Sequence, residues 1–461
     1  MISRRSFLRV VGGFTSAGLG AACGPTGSTP SAATPTPRPI VTAAPAPTSI
    51  VSGPPAVANA AQVRKYAGQQ VAVSALTEGS RDFADRDDAK AAQFTADTGV
   101  KVQFVRHTFS DVNDVLKLYQ GLLEARSSDI DVLHIDVIWT GPLGKYLLDL
   151  NPTLAEAARQ HYPAIIQNNT VDGRLIGMPV FADVGMLFYR TDLLQKYRIA
   201  APPRTWEELE QQATQIVAGE RGGNPSFTGY VFQGASAEAL TCNALEWLVS
   251  SGAGNFVDNG QVTINNPAAV GILNRIKNWP GTISPRNVTT YVEEDARTAF
   301  QTGNAAFMRN WPYAHAMGNA PNSPIRGKFD VAPLPAAPGQ KSAATVGGFQ
   351  VAVSSYSRVA EAATEYIRYD ASPEQQTYRA VAASQVPTIP SVAALPEVQQ
   401  AEPFLATLQD LTRVTRPSAI FGTKYSQASA VIYRGVNQIL NGQDAGPILV
   451  AVQRQLEQLL A

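Results

Sequence analysis

Apolar residues along this chain recur at two spacings, and the spacings alternate. Gln70–Leu76 (QVAVSAL) alternates residue by residue, as one covered face of a strand requires, and Thr77-Glu78-Gly79-Ser80 ends it. A helix is predicted through Asp88–Thr98, stopped by Gly99, a residue suited to the left-handed turn after a helix end. Val100–Val105 reads as the next strand. Across Asp111–Arg126, Val112, Val115, Leu116, Tyr119, Leu122 and Leu123 fall on one face of an amphipathic helix. Asp131–Ile138 (DVLHIDVI) reads as a buried strand. Strand, helix, strand, helix, strand predicts an α/β fold with a mostly parallel sheet covered on its faces.

The later chain carries more helix. Thr205 and Glu208 form a capping box that starts a helix running to about Ala218. Further helices are predicted near Glu238–Ser251, Ala268–Asn278, Glu293–Thr302, Val359–Tyr369, Tyr425–Leu440 and Gly446–Leu460. Short strands are predicted at Ala305–Met308, Asp330–Leu334 and Gln350–Val353. No fixed repeat is visible.

The length of 461 residues suits two lobes and a tail better than one core. Lys plus Arg equals Asp plus Glu at 37 each, so no global field draws the chain to nucleic acid, and no nucleic-acid partner is expected. The beginning changes the picture most. Met1–Arg9 (MISRRSFLR) is basic, and Val10–Ala22 is weakly apolar and ends at Cys23. That run is too short for a bilayer span, which needs roughly 20 residues, so 1–23 reads as an export signal. Ser3–Arg9 resembles a twin-arginine signal, with Arg9 where Lys is commonest. Cys23 stands where a lipoprotein signal is cut, although Gly20 occupies the place usually held by Leu. A lipid on Cys23 would hold the exported chain at a membrane. Residues 24–65 are rich in Pro, Ala, Thr and Ser, the composition of a disordered, extended stalk. The other cysteine, Cys242, reads as a small buried apolar residue, since no His/Asn signature accompanies it as a catalytic thiol would require.

Catalytic signatures are missing. The four histidines form no HExxH or Cys/His cluster, no GxSxG occurs, and Gly339-Gln340-Lys341-Ser342 lacks the upstream glycine of a phosphate loop. No metal or cofactor is expected. Paired carboxylates could still serve a glycosidase, with Glu78 and Asp183 the pair to check.

Several blocks are less generic. Ile135–Trp139 and Leu147-Leu148-Asp149-Leu150 are followed by DGRLIGMP at Asp172–Pro179, then Asp183 and LFYRTDLL at Leu187–Leu194, then PRTWEEL at Pro203–Leu209. Phe300–Met308 with Asn310-Trp311-Pro312-Tyr313, Pro333-Leu334-Pro335, Gly347-Gly348-Phe349 and Arg416-Pro417 come later in order. Together these resemble the family 1 extracellular solute-binding proteins of ABC importers, most closely the trehalose/maltose-binding group, over about Val71–Leu460. Phe349 replaces the usual Trp. The resemblance implies a two-lobe, type II periplasmic-binding-protein-like fold that closes on ligand by a hinge. It implies lobe 1 from residues 66–181 and 312–371, and lobe 2 from 182–311 and 372–461. The crossings are expected near Phe181–Asp183, Arg309–Pro312 and Asp370–Ser372.

A sugar presents hydroxyls and weakly apolar ring faces, so carboxylates, an arginine fork and aromatic platforms suit it. Asp136 sits late in an apolar strand, where an aspartate is costly unless it is paired or functional; it reads as a ligand group or a strand-end cap. Glu78 follows the first strand at its carboxyl end, as ligand group or exposed acid. The resemblance places a ligand carboxylate at Asp183. Phe181 joins it at the first crossing. Trp311 and Tyr313 are stacking rings or core. Gly347 allows close backbone approach beside Phe349. Arg416 either forks onto a hydroxyl or anchors the C-terminal lobe by a salt bridge. The reading is a sugar-binding lipoprotein, exported and monomeric, that delivers its ligand to separate permease subunits. The rivals are a glycerol phosphate, polyamine or peptide-like ligand on the same fold, a secreted glycosidase, or a structural surface protein.

Overall fold

The computed structural model describes residues 53–76, 81–107 and 112–461. Two sheets organise this part of the chain. The first begins with β1 (Gln70–Leu76), α1 (Arg81–Thr98), β2 (Lys101–His107), α2 (Val112–Glu124) and β3 (Val132–Asp136). These are the elements the alternating spacings predict. β1 pairs in parallel with both β2 and β3. β4 (Met178–Val184) completes this run, and Gly185 alone separates it from β5 (Met186–Arg190), which belongs to the second sheet.

The second unit continues through α3 (Trp206–Glu220), β6 (Thr228–Val231), α4 (Glu238–Ser250), β7 (Ala305–Asn310) and β8 (Phe329–Ala332). Its sheet has the order β8-β5-β7-β6. The capping box predicted at Thr205 and Glu208 starts α3: Glu208 donates its backbone N–H to the Thr205 hydroxyl, and its carboxylate accepts from the Thr205 N–H.

The chain returns to the first sheet as β9 (Ala343–Val353), longer than the Gln350–Val353 strand expected. β9 is antiparallel to β3 and β4 and parallel to β10 (Thr412–Val414). The first sheet is therefore mixed rather than mostly parallel. Its last long strand arrives from the other sheet and not through a crossover helix of its own. α5 (Ala360–Asp370) packs on β9. α6 (Pro373–Ala383) follows, and α7 (Tyr425–Leu440) and α8 (Ala445–Leu460) pack together against the second unit.

Three expected boundaries change. The return crossing is not at Arg309–Pro312. Phe329–Ala332, within the segment 312–371 assigned to the first lobe, pairs with β5 in the second sheet, so the chain goes back only between Ala332 and Ala343. The segment after Ser372 does not belong wholly to the second unit: Gln376 and Arg379 donate to the carbonyls of Pro179 and Val180 on β4. The fold also begins earlier than residue 66. Val57 donates its N–H to Asp97, the Tyr369 hydroxyl donates to the Pro55 carbonyl, and Ala60–Val63 is helical. Val57 and Val63 are buried with Phe94 and Ile367. Two valines in a Pro/Ala-rich stretch give no periodic signal, so only the surface that receives them reveals the boundary.

Candidate functional site

The junction of the two sheets gathers most of the predicted residues. β4 and β9 pair so that Asp183 lies opposite Gly347 and Phe181 opposite Phe349. The rings of Phe181 and Phe349 are 5.6 Å apart, centroid to centroid. Trp311 follows the end of β7 and lies over Gly347: a Cβ added there would stand 3.2 Å from the indole ring. Glycine here leaves room for the platform, and any larger residue would press on the ring. Gly348 has φ of +120°, and a Cβ on it would run into the Phe181 carbonyl. These backbone terms bring two phenylalanines, a tryptophan and a buried carboxylate together.

Asp183 is 8% exposed, and its Oδ1 has no hydrogen-bond partner among the described residues. Burial pushes its carboxyl up to about 7; the Arg309 guanidinium opposes that and the Asp136 charge adds to it. Beneath Trp311 lies Arg309, its guanidinium carbon 4.0 Å from the ring centroid. Arg309 is fully buried and makes paired bonds of 2.9 and 2.6 Å to Glu246. Thr345 on β9 donates its N–H to the same carboxylate, so this pair joins α4, β7 and β9 under the platform.

Asp136 and Arg416 form a second buried group. Arg416 donates to Asp136 at 2.9 Å and to Glu238 at 3.0 Å. Glu238 also accepts from the hydroxyls of Tyr425 and Ser429. Asp136 takes the N–H of Ile138 as well, the bond of a strand-end cap. Burial raises the Asp136 carboxyl, against the opposing pull of Arg416. Arg416 thus ties β3 to α4 and α7, and its Nε is the donor left without a partner among the described residues.

Tyr313 goes elsewhere. It is 5% exposed and donates its hydroxyl to Glu294 on the helix Glu293–Gln301, which commits it to the second unit. Glu78 and Cys23 lie outside the described residues. Cys242 is buried on α4, and burial lifts its thiol up to about 12, so it has no nucleophilic character. The described residues contain no cluster suited to a metal ion and no helix long and apolar enough to cross a membrane. Sequence reasoning missed Arg309 and Glu246 as a pair, because 63 positions separate them. It missed Glu402 entirely: this fully buried acid follows the helix Pro396–Ala401 in a polar stretch with no motif.

The profile of the bacterial extracellular solute-binding protein family matches residues 81–377. The chain belongs to that family. A protein of Deinococcus radiodurans named "Probable ABC transporter-binding protein" is 49% identical over 349 residues, covering 75% of this chain and 83% of its own length. Among solved structures, maltose-bound MalE3 of T. maritima aligns with a TM-score of 0.79 and 34% identity, over 85% of this chain and all of the other. A solute-binding protein of Thermotoga lettingae, solved with α-D-tagatose, aligns with a TM-score of 0.75 and 21% identity, over 85% of this chain and all of the other. The fold is the two-lobe α/β fold of periplasmic binding proteins. Members of the family are extracellular transport proteins that bind a substrate without converting it.

Proposed function

We propose that this solute-binding protein captures a carbohydrate, a disaccharide or short oligosaccharide of the maltose or trehalose kind, in the cleft between its lobes and hands it to the permease of an ABC importer. The observation that carries the reading is Asp183: a buried carboxylate with a bare oxygen, beside the Trp311 platform and the Phe181–Phe349 pair. A sugar supplies what this site lacks, hydroxyl donors for the carboxylate and ring faces for the aromatics. The 34%-identical maltose-bound relative supports the same class of ligand. Micromolar binding needs about 8 kcal/mol, within reach of a few charge-assisted hydrogen bonds of about 1.5–3 kcal/mol each and two stacked rings.

Closure bends the backbone at Gly185 and between Ala332 and Ala343, where the chain passes from one sheet to the other. The exported, monomeric chain is held at the membrane by a lipid on Cys23, with the Pro/Ala/Thr-rich segment as its stalk. Cys23→Ser then releases the protein into the soluble fraction.

The test is a thermal-shift screen of the purified protein against mono- and disaccharides, phosphosugars and polyamines. A native-state ligand at a hundredfold excess over Kd adds about 2.7 kcal/mol of stability. The expected result is a shift with one disaccharide that disappears in Asp183→Ala and in Trp311→Ala. A shift with phosphosugars or polyamines alone refutes the carbohydrate assignment.

A further inference from the structure

The first turn of the helix Glu293–Gln301 grips the segment Asn310-Trp311-Pro312-Tyr313. Asn310, the buried last residue of β7, donates its amide N–H to the Glu293 carbonyl at 3.1 Å. Its amide oxygen accepts the Trp311 backbone N–H at 2.8 Å. The Trp311 indole N–H donates to the Glu293 carboxylate at 3.4 Å. The Tyr313 hydroxyl donates to the Glu294 carboxylate at 2.8 Å. Glu293 therefore meets Trp311 twice, through its carbonyl by way of Asn310 and directly through its side chain.

These ties act on a ring that already has one face covered. The Arg309 guanidinium carbon lies 4.0 Å from the ring centroid, and the benzo edge stands against Gly347, where a Cβ would come within 3.2 Å. Such contacts limit how far the ring can shift. They do not choose which way its edges point, because the torsion of a flat side chain is broad and roughly two-fold. The indole N–H is a donor only, so an acceptor on one side makes that choice. Here the acceptor is a carboxylate, which binds a donor more strongly than a neutral oxygen does. Trp311 and Glu293 are both half-buried, so the bond between them lies at an edge of the platform that solvent reaches.

We propose that Glu293 is the positioning residue of the Trp311 platform: its carboxylate holds the indole at one tilt and so makes the site favour cyclic sugars over acyclic polyols. The proposal rests on the carbohydrate reading above and adds the residue that sets a preference among polyhydroxylated solutes. A ring already held at one tilt has little ordering left to lose when a pyranose stacks on it. An acyclic polyol offers the same hydroxyls to Asp183 but has no ring face, so it gains nothing from the held indole.

Two variants separate the acceptor from the bulk. Glu293→Gln keeps an oxygen for the indole N–H, and Glu293→Leu keeps the size without it. The full-length protein and both variants are titrated calorimetrically with maltose and with mannitol. The ligand-free proteins are compared by acrylamide quenching of tryptophan fluorescence. Quenching reports on Trp311, because Trp139, Trp206, Trp247 and Trp279, the other four of the five tryptophans, are fully buried. Wild type should bind maltose more tightly than mannitol. Glu293→Leu should weaken maltose by about tenfold, the weight of one aromatic stack, leave mannitol unchanged and alter the quenching, while Glu293→Gln stays near wild type throughout. Unchanged maltose affinity and unchanged quenching in Glu293→Leu overturn the proposal. An equal loss in both variants with unchanged quenching also overturns it, since the carboxylate would then act on the ligand itself. So does a wild type that binds mannitol as tightly as maltose. If Glu293→Leu does not fold, Glu293→Asp takes its place: the shorter side chain falls short of the indole, so the same loss is expected, and full maltose affinity overturns the proposal. If wild type binds no sugar, the carbohydrate reading fails and the ring preference falls with it. The positioning of Trp311 is then judged by quenching alone: a change in Glu293→Leu that is absent in Glu293→Gln sustains it, and no change in either overturns it.

Discussion

Asp183→Asn should make the ligand-free protein more stable at pH 8 and a poorer binder. The Asp183 carboxyl rises from 3.8 to about 7 because burial strips its water and no donor replaces it. A shift of about 3 units corresponds to about 4 kcal/mol, an upper bound because local relaxation and water relieve part of it. The sign follows from proton binding. Below about pH 4 the group is protonated in folded and unfolded chains alike, and it costs nothing. Between about 4 and 7 the unfolded chain releases its proton first, so folding loses stability as pH rises; above about 7 the full penalty is present. An asparagine cannot ionise and escapes it. In a chain of this size 1 kcal/mol moves Tm by on the order of 1–2 °C, so the variant should gain a few degrees at pH 8. The gain should shrink on acidification and be gone near pH 4. Part of it passes to Glu402, whose carboxyl is held well above its usual range by burial and by the Asp183 charge. Ligand binding should move oppositely, weakening by about 10- to 100-fold as one charge-assisted bond of about 1.5–3 kcal/mol is lost. Differential scanning fluorimetry across pH, paired with calorimetry at pH 8, measures both. A variant less stable than wild type at pH 8, or an advantage that persists undiminished at pH 4, would refute the reasoning.

Other residues give sharp expectations. Arg416→Ala leaves Asp136 and Glu238 buried without their shared cation and should destabilise the fold by about 3–5 kcal/mol, read by urea unfolding, with partial recovery in Arg416→Lys. Gly347→Ala places a methyl 3.2 Å from the Trp311 ring and should tilt the platform; ligand affinity should drop by about tenfold, or about 1.4 kcal/mol, while Tm changes little. Cys242, with its thiol lifted up to about 12 inside α4, should resist iodoacetamide at pH 8 in the native protein and react at once in denaturant, as intact-mass measurement would show.

Local signals in the sequence were strong where the structure is local. The alternation of QVAVSAL, the six apolar positions across Asp111–Arg126 and the Thr205–Glu208 box each describe contacts within a few residues, and β1, α2 and α3 form where they point. The family blocks also located the junction, bringing Phe181, Asp183, Trp311, Gly347 and Phe349 to one place. Three candidate site residues are engaged within the protein instead. Arg416 and Asp136 bond to each other, and Tyr313 turns to Glu294.

Tertiary structure alone decided the rest. Ala343–Val346 carries little strand signal, yet it is strand because β10 and β4 offer it backbone partners. Asp330–Leu334 reads as a strand in sequence, but only the pairing of Phe329–Ala332 with β5 assigns that strand to the second sheet. The Arg309–Glu246 pair under Trp311 and the bare carboxylates of Asp183 and Glu402 are invisible in composition. Spacing along a chain reports which side of a helix or strand a residue occupies. Whether a buried charge is neutralised, or waits for a ligand, depends on groups that meet it from distant parts of the chain, and folding supplies those neighbours.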